Sequence, residues 1–173
     1  MKTIKMNLSQ QGIEETKNKL LELKDNLKLC ANNISEDMTN LASDLIKSNY
    51  SASPYTDGNN DVNFIKQKSD KRTIVGVSGS QVLYREFGTG TEGLNAPHPI
   101  KGNFNLKGYN TGPKIKVNSK TGELFWIYKD ESGKSVYTQG IPAGKEIYNA
   151  AIILKGKKYT IIKKRVSEAL SKL

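Results

Sequence analysis

One cysteine, one histidine and one tryptophan are spread over the chain, and no apolar run comes near the roughly eighteen residues that a membrane-spanning helix needs. Each scarcity excludes something. Cys30 has no partner for an internal disulfide, which fits a reducing compartment and a role as a small buried hydrophobe. His98 alone cannot build a multi-histidine metal site, and a Ser-His-Asp or Cys-His arrangement would have to draw it from between Pro97 and Pro99. The carboxylates are scattered. Residues 1–11 carry Lys2 and Lys5 without the apolar centre of a secretory signal, and the longest apolar cluster, residues 150–154, is short. The expectation is a non-enzyme with no cofactor, no metal, no small-molecule substrate and no membrane partner.

What the chain does have is charge, unevenly placed. The net charge is +10 over 173 residues. Residues 1–50 balance seven lysines against seven acids, so the excess lies in residues 51–173, with 20 basic and 10 acidic side chains. From Lys145 onward there are eight basic residues and two acidic ones. Such a skew favours nucleic acid, an anionic surface or an acidic protein partner without choosing among them. At 36% hydrophobic and 25% charged, the composition suits one globular domain, with room for an insertion.

Periodicity orders the segments. Ile13, Leu20, Leu27, Ile34 and Leu41 recur every seven residues, with Thr16, Leu23 and Cys30 and then Met38, Leu45 and Ile46 beside them. This is a narrow apolar stripe on a helix over residues 10–49. Asn32-Asn33 marks a candidate break, because Asn33 and Glu36 have capping-box spacing. Unbroken, the helix would measure about 60 Å, which implies an intersubunit contact. A coiled coil fits the heptad, and packing on a sheet is the commoner use of such a stripe.

Residues 51–58 read as a loop. Residues 73–77 and 81–87 are β-like and read as a hairpin. Glu86 is the one acid in an otherwise apolar strand end; a buried acid is one reading, and alternation along a strand, which would turn it to solvent, is the commoner one. Residues 88–113 hold six glycines and three prolines without periodicity: a long loop of the kind that orders on a partner. Residues 114–117, 123–128 and 135–138 form a meander with glycine turns at Gly122 and Gly133. Pro142 opens a helical segment with Ile147, Tyr148, Ala151 and Leu154, which Gly156 would stop or kink. A last helix carries Tyr159, Ile162, Val166, Ala169 and Leu170 on one face and Lys157, Lys158, Lys163, Lys164 and Arg165 on the rest. The fold class expected is α+β: a long N-terminal helix and a C-terminal helix packed on an antiparallel β-sheet, with a long Gly-rich loop insertion, in a single domain over residues 1–173.

Two phosphate motifs fail on context. Gly88-Thr-Gly90-Thr-Glu-Gly93 fits a dinucleotide fingerprint, but that reading needs a helix next and Pro97 and Pro99 follow instead. Gly133-Lys134-Ser135 lacks the earlier glycine of a phosphate-binding loop; Tyr128 stands there. The lysine-rich end shows no helix-turn-helix or zinc-finger pattern and reads first as a solvated helix face. A diffuse positive surface facing DNA needs no motif, so a non-enzymatic nucleic-acid-binding protein is the alternative reading.

Val82-Leu-Tyr-Arg-Glu-Phe-Gly-Thr89 resembles the signature of a family of small tailed-phage morphogenesis proteins, the minor capsid or head–tail joining proteins. In that family an aromatic residue and an acid precede Phe-Gly-Thr. Ser53-Pro-Tyr-Thr-Asp-Gly58 is similar to its Pro-x-x-Thr-Gly loop, with Asp57 inserted. Gly140-Ile-Pro-Ala143 is similar to its entry to the C-terminal helix, and Trp126-Ile-Tyr128 matches longer members. One departure is Gly144-Lys145-Glu146, where the family usually has a bulky apolar pair.

The resemblance implies a virion structural protein in a closed homo-oligomeric ring, six- or twelve-fold, at the neck between connector or portal-side proteins and tail-tube or tail-terminator proteins. Packaged DNA would be a non-specific partner. The place would be the virion neck or tail, after assembly in the bacterial host cytoplasm. The residues implied in the motif and assembly interface are Tyr84, Glu86, Phe87, Gly88, Thr89, Trp126, Pro142 and Ala143. Those for a DNA or acidic-partner surface are Lys157, Lys158, Lys163, Lys164 and Arg165.

Overall fold

The computed structural model describes residues 7–53, 62–69, 72–79, 81–100, 116–129 and 132–171. Their order is helix, small sheets, helix, so the class is α+β as expected. Helix α1 runs unbroken over Gln10–Ala52. It starts where the Ser9 hydroxyl accepts the Gly12 N–H at 3.1 Å, an N-cap that residue type favours. No break occurs at Asn33. Strands β1 (Asn63–Lys68) and β2 (Thr73–Ser78) pair antiparallel, with Ile65 opposite Gly76. The partner of β2 is therefore β1 and not residues 81–87, which form a helix, α2 (Val82–Phe87).

Helix α3 (Gly90–Asn95) follows within the segment expected to be loop. Residues 101–113 of that segment, and the motif from Pro54 to Gly58, lie outside the described residues. The meander is present as β3 (Lys116–Val117), β4 (Leu124–Lys129) and β5 (Ser135–Thr138), all antiparallel. Its glycines Gly122 and Gly133 take positive φ, as those turns require. A two-residue strand β6 (Gly140–Ile141) leads to helix α4 (Glu146–Ser171), which begins after Pro142 and passes through Gly156 without stopping.

The chain divides into two compact units. The first pairs α1 up to Leu41 with α4 from Leu154. It is an antiparallel two-helix arm, since Arg165 meets Asp37 while Ala169 lies by Cys30 and Asn26. The second unit, Ala42–Ile153, has a core of Ile46, Tyr50 and Ala150, with Val75 and Val77 of β2 and Ile147 of α4 packed on it. Here both helices pack on a sheet, and that sheet has two strands.

In the arm, the Arg165 guanidinium holds both carboxylate oxygens of Asp37, at 2.7 and 2.8 Å, and Glu168 at 2.9 Å. Arg165 is therefore a paired residue of the helix contact and not part of a free basic surface. Tyr159, expected on the packed face, is 72% exposed. The hydrogen bonds from Arg165 hold the Asp37 carboxyl below its ordinary range, against the opposing effect of burial. A carboxyl depressed in the fold contributes stability above its unfolded pKa and loses it as pH falls. Acidification through roughly pH 4 and below should therefore loosen the arm, read as faster amide exchange near residues 37 and 165. Asp37→Asn should abolish that acid-dependent step, and an unchanged step would rule the pair out as its cause.

Candidate functional site

The residues that matter in the second unit gather where α2 meets the start of α4. Helix α2 buries Val82, Arg85, Glu86 and Phe87. The spacing i, i+3, i+4 is helical, and it turns two charged side chains inward. Glu86 is 4% exposed. Its carboxylate accepts the N–H of Ile147 at 2.9 Å and of Tyr148 at 3.0 Å, the otherwise unpaired first amides of α4. Helix N-termini favour negative charge, so Glu86 caps α4 from 61 residues away.

His98 is also 4% exposed, and its Nε2 lies 3.0 Å from Glu86 Oε1. Its Nδ1 accepts the Ile100 N–H at 3.3 Å. Assigned from these partners, the imidazole is neutral with its proton on Nε2, donated to Glu86. Phe87 and Tyr148 enclose the ring, with centroids 4.6 and 5.1 Å away.

Arg85 pairs with the second buried acid, Glu146, at 3.5 Å, and donates to the Tyr50 carbonyl at 3.2 Å. Its guanidinium also stacks 4.4 Å above the Tyr50 ring. Asn49 donates to the Glu146 carbonyl at 2.8 Å. Burial raises the Tyr50 phenol above its ordinary range, and the charges of Glu146 and Glu86 push the same way, against Arg85. One buried cation and the amides of α4 thus offset two buried carboxylates, which is how such charges persist in an interior.

The same junction locks the backbone. Gly144 donates to the Arg85 carbonyl at 2.7 Å and Lys145 to that of Glu86 at 3.3 Å. Thr89 bridges to Ile141, and Gly90 to Gly140. Thr91 donates its hydroxyl to the Gln139 carbonyl at 2.9 Å. Gly88 has φ 73° and ψ 164°, a region open essentially to glycine, and it sits against Pro142 and Ala143.

The motif residues Glu86, Phe87, Gly88, Thr89, Pro142 and Ala143 therefore come together. Tyr84 is 37% exposed on the outer side of α2, and Trp126 stands in β4 opposite Thr138. Lys157, Lys163 and Lys164 are exposed on α4, while Lys158 is half-buried with its Nζ 4.7 Å from the Tyr159 ring.

Of the two readings of Glu86, the buried acid holds and the solvent-facing strand residue does not, because the segment is helical. Arg85, Glu146 and Tyr50 were not anticipated, and His98 was set aside as a loop residue. Two of them carry a local sequence signal for position though not for partner: Arg85-Glu86 falls on the buried helical spacing, and Glu146 is a first-turn acid. Glu146 also gives the motif's departure a purpose, since it supplies the partner of Arg85. The Glu86 oxygens are taken up by three donors that orient elements, which suits holding a fold rather than moving protons. Among the described residues, no cluster of acids, histidine and cysteine is arranged to hold a metal, and no helix is long and apolar enough to cross a membrane. The chain matches no protein-family model, no curated protein and no solved structure.

Proposed function

We propose that this chain is a structural subunit of a tailed bacteriophage or phage-tail-like particle. It forms a homo-oligomeric ring at the neck that joins or completes the tail at the head connector. The supporting observation is the docking of Glu86-Phe87-Gly88-Thr89 against Gly140-Ile-Pro-Ala143. These two blocks, far apart in the chain, carry the family resemblance, and chance similarity gives no reason for them to interlock. Their contact makes the motif the clamp that fixes α4 and β6 on α2. A ring subunit needs such a rigid body from which loops and helices reach its neighbours. Mass measurement of the native particle, or its reconstruction, tests the reading: several symmetric copies at the neck are expected, and one unpaired copy per virion overturns it.

The exposed Lys157, Lys163 and Lys164 favour a second reading, non-specific contact with nucleic acid. Changing Lys157, Lys158, Lys163 and Lys164 together to Gln should leave folding nearly intact, since exposed pairs contribute only about 0–1 kcal/mol each. If DNA is the partner, binding should be independent of base sequence, fall steeply with rising salt, and vanish in the variant. Particles that package and infect normally with all four changed would leave the run as a wet helix face.

A further inference from the structure

The β1–β2 ribbon is longer than the core it covers. Val75 and Val77 of β2 pack on the core of the second unit, and Phe64 of β1 meets the Tyr50 ring edge-on at 6.1 Å. Past the Lys66–Val75 pair the ladder continues through Gln67–Ile74 and Lys68–Thr73 to the turn. There the Ser69 N–H and hydroxyl both donate to the Arg72 carbonyl, at 2.8 and 3.0 Å, and close the tip. At about 3.4 Å per residue, the ribbon runs roughly 10 Å beyond Val75. Lys66, Gln67, Lys68, Ser69 and Arg72 are all exposed on this overhang.

The overhang is cationic. The two strands together with Ser69 and Arg72 carry three basic side chains and no acid, and the charges of Asp70 and Lys71 cancel in the sequence between them. Lys66 and Lys68 alternate along β1 with Phe64, so the three line one face. Lys47 of α1 extends that row at its base, with its Nζ 5.8 Å from the Phe64 ring. Neither Lys68 nor Arg72 has an ion-pair partner among the described residues. Cations held in a row repel one another until an anion of repeating charge meets them.

Shape says which anion. The major groove of B-DNA is about 8.5 Å deep and admits a two-stranded β-ribbon. The overhang has that form and that reach. Single-stranded nucleic acid is held by aromatic side chains that stack its bases, and the overhang has none. Binding to a lipid surface needs apolar area to bury as well as charge, and Ser69 and Arg72 stand at the tip.

We propose that the overhanging end of the β1–β2 ribbon binds duplex DNA, entering the major groove with Lys66, Lys68 and Arg72 on phosphates and without reading base sequence. This surface is separate from the α4 lysines. It depends neither on their binding DNA nor on a ring at the neck.

Fluorescence anisotropy of the full chain with a short labelled duplex of mixed sequence tests it. The wild type should bind, and log K should fall linearly with log salt. With Lys66, Lys68 and Arg72 changed to Gln, affinity should drop at least about tenfold and the salt slope by about 2–3, since each phosphate contact contributes about 0.9. Circular dichroism should show the fold kept, because the three side chains are exposed. Lys66→Arg with Lys68→Arg retains the charge and should retain binding. Adding the ribbon changes to a chain whose Lys157, Lys158, Lys163 and Lys164 are already Gln should cause the same further loss. In the wild-type complex, acetylation read by mass spectrometry should slow at Lys66 and Lys68, a readout that needs no variant.

A wild type without affinity for the duplex at low salt overturns the proposal. So does a ribbon variant with unchanged affinity and slope, or acetylation of Lys66 and Lys68 that DNA leaves unaltered. Ribbon-dependent binding that is stronger to phosphatidylserine vesicles or to polyglutamate than to the duplex overturns it as well, by identifying a different partner.

Discussion

Glu86→Ala should destabilise the second unit by about 3–5 kcal/mol, the size expected when one member of a buried charged network is removed. The carboxylate holds the Ile147 and Tyr148 amides and the His98 imidazole, all within 3.0 Å. Its loss leaves three donors in the interior without an acceptor, and each unsatisfied donor costs about 1–3 kcal/mol before relaxation. The start of α4 also loses the negative charge that its N-terminal amides favour. Urea unfolding measures the total. Amide exchange gives the specific signature: protection at Ile147 and Tyr148 should fall more than protection in the middle of α4. Glu86→Gln should lose less, because its carbonyl still accepts while its amide group opposes a donor. Combining Glu86→Ala with His98→Phe should cost less than the two changes added, since both remove one interaction. Wild-type stability in Glu86→Ala would show that the motif's acid is incidental.

The long-period features were the legible ones. The stripe from Ile13 to Leu41 spans enough turns for one period to dominate, and α1 is there, as is the meander with Gly122 and Gly133 at its turns. The unbroken passage at Asn33 shows that a capping-box spacing is permissive: with packing along the helix, no end forms. The segment Val82–Phe87 misled because Val82, Tyr84 and Phe87 are strand-favouring types and six residues are too few to separate periods of 2 and 3.6.

What decided that segment is tertiary. Only as a helix can it place Arg85 against Glu146 and Glu86 against the first amides of α4. The candidate site was half legible for the same reason. Glu86, Phe87, Gly88, Thr89, Pro142 and Ala143 were singled out by pattern. Arg85, His98, Glu146 and Tyr50 acquire their roles only from neighbours that are distant in the chain. The arm's chemistry was hidden likewise: Arg165 reads as one more cation of a basic run until Asp37 stands 2.7 Å away.

Substituting either glycine of the clamp should be as damaging as removing its acid. Gly88 has φ 73°, and a Cβ there would lie 2.6 Å from the Ala143 nitrogen and 2.8 Å from the Ile141 carbonyl oxygen. Gly140 has φ 89°, and a Cβ there would collide with the Thr89 carbonyl. At both positions the obstacle is backbone, which cannot step aside as a flexible side chain would. Holding a non-glycine residue in so sparse a region costs about 1–3 kcal/mol. Overpacking adds about 1–3 kcal/mol more. Gly88→Ala and Gly140→Ala should therefore each lose at least about 3 kcal/mol, and Gly88→Val should prevent folding or assembly. The bridges Thr89–Ile141 and Gly90–Gly140 would open in both cases, since each glycine abuts one of the bridged strands. Gly122→Ala supplies the contrast: its φ is 71°, but a Cβ there meets no atom within 4 Å. It should show the conformational cost alone, without the collision. Equal losses at Gly88, Gly140 and Gly122 would mean that the close approach of the two blocks contributes nothing, and that backbone conformation by itself explains these glycines.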